Sequence, residues 1–536
     1  MMMEARHRRE KIGSYSYRAI VQDAIHGSIR INDAEYWILQ TPFMRRLHGI
    51  RQLGLNFLVF PSATHTRLSH SLGVMYIASR MAERVARLAE RDSRVCAALM
   101  VECSPEARAS LVQIARIAGL IHDIGHTPFS HVGEEALFQF LHEVNAVDVL
   151  SKIGLVDVEK PHEAYTYYFG RRLVEMARDP GLEAPDRLDL YIEFVVESMG
   201  GGRRLESVAG GLGLYPESAD LVKSIISGGI ADADRLDYLR RDAWFSGVIY
   251  GYTDLDRMIE GIYVEVSGGR AVLRIDRKTI QSLEDVFDSR LKMYRSVYHH
   301  HKSVAFKIAL KRVIDLINEH WSETGGILYG RYDSLVDLLD PDNLSQAIAG
   351  GIAYFDDVEM EAMSRMLLRI GDRVASRWAK ALLYDRRLVP ISLVKRQEDL
   401  VAALVERGGG ADYFDLSERL LSILNKKDLY DQLREALIKR ISSIAGVDPD
   451  SMEVYMGPSE VGGIKSRGGD EVASVYLNFL GRLASIPTIH AYVYSDLEED
   501  HVRIYKSRDE VRKAFLEVIR GFVRDSGRGL RASSTR

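Results

Sequence analysis

The sequence predicts a mainly α-helical protein with one small β-hairpin and a smaller α+β lobe at its C-terminus. Three observations lead to this fold class. Apolar residues recur at helical spacing through most of the first 320 residues, two alternating runs flank a Gly pair near residue 268, and strand-like runs cluster after residue 450. Hydrophobic residues make up 46% of the 536 positions, a balance typical of a globular protein with a large buried core.

The helical part is predicted first along the chain. Residues 68–91 form one amphipathic pattern, and residues 277–320 predict one or two further long helices. Another helix is indicated by five apolar residues at helical spacing: Leu111, Ile114, Ala115, Ala118 and Ile121. We expect this helix to stop before Gly125.

The strands are predicted by alternation. Residues 262–275 alternate around Gly268 and Gly269 and predict a β-hairpin. The composition changes after about residue 325, and helical stretches continue to about residue 445. Three short runs then predict strands, namely MEVYM, HAYVYS and VRIYKS, and a last helix is expected near 508–524.

These patterns divide the chain into four parts. We expect an N-terminal extension over 1–24, a mainly helical domain over 25–325, and an α+β lobe over 326–525. The polar tail 526–536 is expected to be disordered. No internal repeat, heptad array or low-complexity block is recognisable.

Charge argues against a nucleic-acid partner. The chain has 71 basic and 76 acidic residues and a formal net charge of −5, so no global positive field attracts a polyanion. Any charge that binds phosphate must therefore be local, which suits a nucleotide pocket better than a long nucleic-acid groove.

The two cysteines and the N-terminal segment indicate where in the cell the protein is located. If Cys96 and Cys103 lie on one helix, they are about two turns, roughly 10 Å, apart, which excludes a disulfide. Two cysteines also exclude a multi-Cys zinc site. The basic N-terminus has no apolar segment after it, and no run approaches the ~18 apolar residues of a membrane helix. We therefore expect a cytoplasmic protein without a membrane partner.

One segment concentrates ionisable side chains. Residues 119–136 read GLIHDIGHTPFSHVGEEA, directly after the apolar helix. Its ionisable residues are His122, Asp123, His126, His131, Glu134 and Glu135. Burying such groups without partners would cost several kcal/mol each. A metal ion would compensate their burial and order them.

Two ligands do not hold a metal firmly, so other parts of the chain must supply more. The candidates are His70, in HTRLSHSLG, and Asp234, in IADADRLDYLRRD. With His122 and Asp123 they complete the ordered set His…His-Asp…Asp.

In this order and local context, the motifs resemble those of the HD superfamily, and in particular its deoxynucleoside triphosphate triphosphohydrolases. These include the bacterial dGTPases and the animal protein with a sterile-alpha-motif and an HD domain. The resemblance covers about residues 25–305 and implies the helical HD-domain fold. It also implies metal ligation by His70, His122, Asp123 and Asp234. Two imidazoles and two carboxylates suit Mn²⁺, Fe²⁺, Zn²⁺ or Mg²⁺.

The same resemblance implies the catalytic groups. His131 matches a histidine that acts as general acid or base beside the metal, and Glu134, three residues later on a predicted helix face, would orient it. His126 matches a further histidine of the pocket. His162, in PHEAYTYYF, matches a histidine near the phosphates.

Three arginines match residues that hold the triphosphate in this family. Guanidinium groups suit this role because they pair well with phosphate oxygens. The three arginines are Arg67, Arg235 and Arg290.

The contacts to the nucleoside are also implied by the resemblance. Tyr238 and Tyr298 match aromatic residues that pack on the sugar and base, whereas His65 is expected to be structural. Asp242 matches a carboxylate that accepts the 3′-hydroxyl, and Gln52 and Leu53 match residues that line the sugar and base. A tightly packed sugar would exclude a 2′-hydroxyl.

The chain departs from the animal members in the matching activator site. Those proteins have an acidic residue before a Thr-Pro pair and an arginine further on, whereas this chain has Gln40 and His48. A guanine-reading activator is therefore in doubt, and control by another nucleotide effector, or none, stays open. Because the relatives assemble, we expect a homo-oligomer.

The expected function is metal-dependent hydrolysis of deoxynucleoside triphosphates to deoxynucleoside and tripolyphosphate. Two alternatives stay open at this point. One is an HD phosphohydrolase acting on a nucleoside monophosphate, a cyclic nucleotide or a nucleotide alarmone. The other is a non-catalytic nucleotide or nucleic-acid binder. The context of Gln52 and Tyr238 favours triphosphates, and the intact pair His131 and Glu134 argues against lost activity.

Other enzyme classes are not supported by the sequence. It contains no G-x-x-x-x-G-K-[ST], no G-x-G-x-x-G after a strand and no G-x-S-x-G.

Overall fold

The computed structural model describes most of the chain in two compact units. The described residues are 11–154, 161–200, 202, 204–228, 231–385, 388–391, 422–423, 426–447, 449, 452–458, 487–494, 502–503 and 505–533. Unit 1 consists of Met1–Met293 and Ile314–Ile370, and unit 2 of Tyr294–Val313 and Gly371–Arg536. Residues 1–10, 392–421 and 534–536, which fall within the predicted extension, lobe and tail, lie outside the described part.

Helices dominate both units, as predicted. In chain order, the α-helices of the described residues are α1 (Asp33–Gln40), α2 (Pro42–Arg45), α3 (Arg67–Arg91), α4 (Ser93–Leu99), α5 (Pro105–Ile121), α6 (Ser130–Glu143), α7 (Val147–Gly154), α8 (Pro161–Arg178), α9 (Leu188–Met199), α10 (Leu205–Gly211), α11 (Ser218–Ile226), α12 (Ala233–Ser246), α13 (Leu255–Glu260), α14 (Ile280–Met293), α15 (His301–Glu319), α16 (Gly325–Tyr329), α17 (Leu335–Leu338), α18 (Pro341–Ala349), α19 (Asp357–Met366), α20 (Arg373–Lys380), α21 (Lys427–Ala445) and α22 (Arg508–Ser533). Helices α3 and α5 confirm the two amphipathic patterns. Helices α14 and α15 divide the segment 277–320, with a π-helical turn at Tyr294–Tyr298 between them.

Unit 1 contains two small antiparallel sheets. The first has strands β1 (Lys11–Ile12), β2 (Tyr15–Asp23) and β3 (Gly27–Asn32), and the sequence analysis did not foresee it. The second is the predicted hairpin, with β4 (Ile262–Ser267) paired to β5 (Arg270–Ile275). Its turn residues, Gly268 and Gly269, have φ angles of 56° and 77°, which glycine adopts readily.

Unit 2 combines helices with a three-stranded sheet of order β6–β8–β7. Its strands are β6 (Leu388–Ile391), β7 (Met452–Pro458) and β8 (Pro487–Tyr494), so MEVYM and HAYVYS are confirmed as strand segments. The strand expected at VRIYKS is wrong, because Val502, Arg503, Tyr505 and Lys506 are helical. Helix α22 then runs to Ser533, into the tail that we expected to be disordered.

Close packing of α3 on α5 sets the position of the candidate site. A Cβ added to Gly119 would lie 2.9 Å from the Cα of Met75, so glycine allows the two backbones to approach. The first turns of α3 therefore lie beside the C-terminal end of α5. The ring centroids of His70 and His122 are 5.3 Å apart as a result.

Helix α12 also packs against α3. A Cβ on Gly73 would lie 1.9 Å from Oδ1 of Asp237, so only glycine leaves room for this carboxylate beside the helix. The N-terminal turn of α12, which carries Asp234, is thereby directed toward the same end of α3.

The expectation of two separated cysteines is wrong. Cys96 and Cys103 form a disulfide, with Cα atoms 5.8 Å apart. They do not share a helix, because α4 ends at Leu99 and Met100 forms an isolated bridge with Leu214 before α5 begins. The cytoplasmic location was expected in part because both thiols were taken to be free, and the disulfide removes that support. Among the described residues, no helix is long and apolar enough to cross a membrane.

Candidate metal-dependent active site

The four residues predicted to bind metal converge at one end of the α3–α5 pair. Nε2 of His70 lies 3.0 Å from Oδ1 of Asp234 and 3.6 Å from Oδ2 of Asp123. Nε2 of His122 lies 3.4 Å from Oδ1 of Asp123 and 3.9 Å from Oδ1 of Asp234. Three separate segments, the start of α3, the end of α5 and the start of α12, thus contribute to one cluster.

The donor set fits a divalent cation. Nδ1 of His122 donates a hydrogen bond to the carbonyl of Gly119 at 2.9 Å, which leaves the lone pair on Nε2. That Nε2 is buried and has no hydrogen-bond partner in the described part of the chain. His70, His122 and Asp234 each offer a ligand atom within 4.8 Å of the others. A cation would satisfy this buried lone pair and balance the adjacent carboxylates.

The carboxylate of Asp123 is held ionised by its neighbours. Burial alone would raise the pKa of Asp123, but the charges of His122 and Arg67 hold it well below its ordinary value. Nη1 of Arg67 donates to Oδ2 of Asp123, and Nε of Arg67 donates to Oγ of Ser130 at 2.9 Å. Asp123 is therefore an acceptor at neutral pH, and its orientation is fixed.

Asp237 orients His70 from behind, and the sequence analysis did not identify it. Its Oδ2 accepts a hydrogen bond from Nδ1 of His70 at 2.7 Å, and its Oδ1 lies 2.6 Å from Nε2 of His26. Arg241 bridges Asp237 to Asp23 of strand β2. Burial lowers the pKa of His70, but hydrogen bonds to Asp234 and Asp237 outweigh it and raise the pKa to about 10.

A weak sequence signal for Asp237 existed. It lies three residues after Asp234 in the predicted helix, so both carboxylates share a face. Its partners His26 and Asp23 come from the N-terminal hairpin, which was not foreseen. The network could therefore not be assembled from the sequence.

A second cluster lies next to the first and contains the four predicted catalytic residues. His126, His131, Glu134 and His162 each offer a ligand or proton-transfer atom within 4.8 Å of the others. Asp123 links the clusters, because its Oδ1 lies 3.3 Å from Nε2 of His126. The rings of His126 and His162 stack with centroids 3.9 Å apart.

Glu134 is the shared anion of the second cluster. Its carboxylate accepts from Nδ1 of His162 at 2.9 Å and lies 3.4 Å from Nδ1 of His131 and 3.5 Å from Nδ1 of His126. Burial raises the pKa of Glu134, but these histidines outweigh it and hold the pKa well below its ordinary value. Burial lowers the pKa of His126 to about 3, with Arg67 and His162 adding to the effect.

His131 differs from the other three in its exposure. Its side chain is 61% exposed, whereas the side chain of Glu134 is 6% exposed. A proton carried by His131 can therefore be exchanged with solvent or passed to a molecule in the site. The expectation that Glu134 orients His131 is compatible with this contact, although Glu134 lies closer to His162.

The predicted clamp residues lie on different helices of unit 1. Arg67 is buried at the start of α3, against Asp123. Arg235, at the start of α12, has its guanidinium 5.9 Å from the ring centroid of Phe287. Arg290 is half-buried on α14, one turn after Phe287, and α14 packs against α12.

Two predicted sugar-and-base segments of unit 1 meet through His65. The backbone N–H of Gln52 donates to the carbonyl of His65 at 2.9 Å, and Nε2 of His65 lies 2.8 Å from Oδ1 of Asp242. Gln52 and its neighbour Leu53 are 8% exposed, and Tyr238 is half-buried one turn before Asp242. The imidazole of His65 also stacks on Phe245, so it orients the carboxylate predicted to bind the 3′-hydroxyl.

Tyr298, Gln40 and His48 are the remaining residues that the sequence singled out. Tyr298 belongs to unit 2, where its ring packs edge-on against Tyr294 with centroids 5.0 Å apart. In unit 1, Gln40 accepts a hydrogen bond from Arg45, and His48 is exposed.

Comparison with known proteins agrees with this geometry. The HD domain family matches residues 67–172, which include His70, His122, Asp123 and the second cluster. An uncharacterized protein of Methanocaldococcus jannaschii is 31% identical over 281 residues, covering 52% of this chain and 46% of that protein.

Proteins named for an enzymatic activity are also similar to this chain. The deoxynucleoside triphosphate triphosphohydrolase SAMHD1 of Danio rerio is 30% identical over 298 residues, covering 52% of this chain and 42% of that protein. Its homolog in Dictyostelium discoideum is 25% identical over 397 residues, covering 71% and 64%. The chain thus spans about half the length of the curated relatives it matches.

The match covers the helices that build the two clusters except α12, which carries Asp234. Both the family match and the cluster geometry are compatible with a divalent cation held at this site. The chain therefore carries an HD domain and is similar, over that domain and its surroundings, to the deoxynucleoside triphosphate triphosphohydrolases of the HD superfamily.

Proposed function

We propose that this protein hydrolyses deoxynucleoside triphosphates to deoxynucleosides and tripolyphosphate. The observation that carries the proposal is the junction of two clusters at Asp123. Three proposed metal ligands, His70, His122 and Asp234, offer atoms within 4.8 Å of one another, and Asp123 adjoins them. Beside them, three histidines share the buried anion Glu134. Similarity to triphosphohydrolases supports the choice of substrate.

His70, His122, Asp123 and Asp234 would hold the divalent cation. When bound, such an ion lowers the pKa of a coordinated water toward neutrality and polarises a phosphoryl oxygen. The protein contributes the fixed orientation of the ligands. Asp237 holds the His70 ring, the carbonyl of Gly119 holds the His122 ring, and Arg67 holds the Asp123 carboxylate.

His131 is the proposed general acid. Water would attack the α-phosphorus, the bond between this phosphorus and the 5′-oxygen would break, and His131 would give its proton to the leaving 5′-oxygen. Its exposure allows it to be reprotonated after each turnover. Burial lowers the pKa of His131 below its ordinary value, and Glu134, at 3.4 Å, opposes this by favouring the protonated imidazole. His126 would line the site as a neutral polar group, and His162 would hold Glu134 through its hydrogen bond.

Arg235 and Arg290 are the proposed triphosphate clamp, together with Arg67. Guanidinium groups neutralise charge on the phosphate oxygens as the bond breaks. Arg67 already pairs with Asp123 and Ser130, so its contribution includes holding the metal ligand.

In unit 1, the nucleoside would be recognised by Gln52, Leu53, Tyr238 and Asp242, and the role of Tyr298 stays a prediction. Within unit 1, His65 fixes Asp242 as an acceptor for a 3′-hydroxyl. A sugar packed against these side chains would leave no room for a 2′-hydroxyl, which is the proposed basis for preferring deoxynucleotides.

The identity of the metal, the assembly, a nucleotide effector and the cellular location are further parts of the same proposal. We propose Mn²⁺ as the first ion to test, with Fe²⁺, Zn²⁺ and Mg²⁺ as alternatives, because a mixed N/O set suits all four. A homo-oligomer and a nucleotide effector stay predictions, as does a cytoplasmic location.

Product analysis tests the reaction. The purified protein would be incubated with each of the four dNTPs and four NTPs, with Mn²⁺ or Mg²⁺ and then with EDTA. Chromatography of deoxynucleoside together with intact tripolyphosphate, lost on chelation, is the expected result. Formation of monophosphate and pyrophosphate would place the attack elsewhere and reject the mechanism. Turnover only of cyclic nucleotides, monophosphates or alarmones would reject the substrate class.

A further inference from the structure

Asp357 lies behind the second cluster. It is outside residues 67–172, which match the HD domain family, and outside the sequence motifs described above. We infer that Asp357 is a positioning residue that clamps the loop before helix α6 to the segment 50–54, and so fixes where His126 and His131 point. The inference concerns the same site as the proposed function and rests on it for its kinetic consequence. Its structural part can be tested without any substrate.

The carboxylate of Asp357 joins the two segments through both of its oxygens. Oδ1 accepts the backbone N–H of Phe129 at 2.6 Å. Oδ2 accepts the backbone N–H of Arg51 at 3.0 Å and its Nη1 at 3.3 Å. The side chain of Asp357 is fully buried, so water does not compete for these contacts. Phe129 directly precedes α6, and Arg51 directly precedes Gln52.

The clamped loop has a backbone conformation that needs support. Phe129 and Ser130 have φ angles of 60° and 58°, in the left-handed region that costs non-glycine residues on the order of 1 to 3 kcal/mol each. Helix α6 also begins without a side-chain cap. The loop therefore keeps this shape because its surroundings hold it, and Asp357 supplies a buried acceptor at its strained residue.

Direct contacts between the two segments show how little space separates them. Oγ of Ser130 donates to the carbonyl of Arg51 at 2.6 Å. A Cβ on Gly54 would lie 2.3 Å from the carbonyl oxygen of Phe129. A shift of the loop would thus move both the start of α6 and the predicted nucleoside-lining segment.

Arg46 fixes the other end of the same loop. Its buried guanidinium donates to the carbonyls of Ile124 and His126, both at 2.8 Å. It also donates to the carbonyls of Tyr354 at 2.8 Å and Phe355 at 3.0 Å, just before Asp357. The segment 354–357 therefore holds the loop 124–130 at both ends, through Arg46 at one and Asp357 at the other.

Asp357 itself is well anchored. It is the first residue of α19, its N–H donates to the carbonyl of Gly49 at 3.2 Å, and the side chain of Asp356 caps the helix. Asp357 does not contact the proposed metal ligands or any residue of the second cluster. It acts through the backbone that carries His126 and His131.

Asp357→Asn is the most direct test because it preserves volume. An amide can still accept from Phe129, but its NH₂ group then faces the N–H of Arg51, and two donors cannot pair. The matched control is Asp356→Asn on the adjacent residue, since asparagine also caps helices well. Both variants would be compared with the wild type by amide hydrogen exchange and by kinetics.

Amide hydrogen exchange measures how firmly the loop before α6 is held, and it requires no substrate. In the wild type, the peptide covering 124–131 should be protected at least 100-fold although much of it lies outside helices. Asp357→Asn should lower this protection at least tenfold, and Asp356→Asn should leave it within about threefold. Fast exchange of this peptide in the wild type, or no change in Asp357→Asn, would overturn the inference. The wild-type measurement decides even if the variant does not fold.

Kinetics then test the consequence for catalysis. We expect Asp357→Asn to lower kcat about 10- to 100-fold, since small misplacement of a catalytic group has effects of this size. Metal content should be unchanged, and KM should change less than kcat. Equal loss in both variants, or loss of the metal, would reject a positioning role. If the wild type turns over no dNTP, the proposed function fails while the exchange result still stands.

Discussion

Nδ1 of His70 donates to Oδ2 of Asp237 at 2.7 Å, so the imidazole presents Nε2 to the candidate metal cluster. This hydrogen bond fixes the orientation of the ring, and a bound cation would replace the proton that Nε2 shares with Asp234. Arg241 and His26 hold the carboxylate in place from the other side. The position of a proposed metal ligand thus depends on a residue from α12 and on partners contributed by the N-terminal sheet and the turn that joins its last two strands.

Asp237→Asn should weaken metal binding by about 10- to 100-fold, the usual effect of removing such a supporting acceptor. The neutral amide no longer balances Arg241 or favours the His70 ring electrostatically. Competition with a fluorescent chelator would measure the affinity. Asp220→Asn, an exposed carboxylate on α11, is the control and should bind metal as the wild type does. Unchanged affinity in Asp237→Asn would remove His70 from the ligand set.

His131→Ala should lower kcat about 10²- to 10⁴-fold, the range for loss of a general acid. Because the four proposed metal ligands are intact in this variant, elemental analysis should find the metal content unchanged. His142→Ala, at the exposed end of the same helix, is the matched control. If His131→Ala lost its metal, His131 would be a ligand and not the proposed acid.

Added Mn²⁺ should raise the unfolding temperature of the wild type, and EDTA should reverse the rise. A ligand at 100 times its Kd stabilises the folded state by about 2.7 kcal/mol. His122→Ala should abolish the shift, because it removes the buried Nε2 that lacks a partner among the described residues. His126→Ala should retain most of it. The reverse pattern in calorimetry would assign the ion to the second cluster.

Titration of Asp357 should make the free energy of unfolding depend on pH. Burial raises the pKa of Asp357 to about 7, although hydrogen bonds from Phe129 and Arg51 oppose the rise. Its ordinary pKa is near 4, so the folded state binds more protons than the unfolded state between these values. The stability from this group is therefore present below pH 4 and lost as the pH rises through 7.

Asp357→Asn removes this titration. From pH 5 to pH 8, the free energy of unfolding of the wild type should fall relative to the variant by about 2 to 3 kcal/mol. Urea unfolding at both pH values measures the difference. Parallel pH curves for the two proteins would show that the Asp357 carboxyl does not titrate in this range.

Arg46→Lys should be strongly destabilising, by roughly 2 to 4 kcal/mol. A lysine ammonium cannot reach the four carbonyls that the buried guanidinium binds. Burial lowers the pKa of Arg46 to about 10, so the group is still charged at neutral pH. Arg45→Lys, whose exposed guanidinium pairs with Gln40, is the control for urea unfolding. Equal stability of both variants would contradict the role given to Arg46.

Local periodicity explains what could be predicted of the fold. Alternation around Gly268 and Gly269 defines the hairpin, and helical spacing defines α3 and α5, because each signal arises within one element. The disulfide was missed for the opposite reason. The turn between Leu99 and Pro105 brings Cys103 back to Cys96, and no periodic pattern marks such a turn. The run 502–507 was misassigned because short apolar alternation does not distinguish a strand from a helix start.

The sequence by itself determined the helical fold class and the residue types of the site, since the dense run from His122 to Glu134 requires a common chemical purpose. Only the tertiary structure decided which groups support them. Asp237, His26 and Asp357 lie far from that run in sequence, and their carboxylates and rings reach it through helix packing and backbone hydrogen bonds. Such contacts depend on where whole elements lie, and the side-chain pattern within one element does not encode that position.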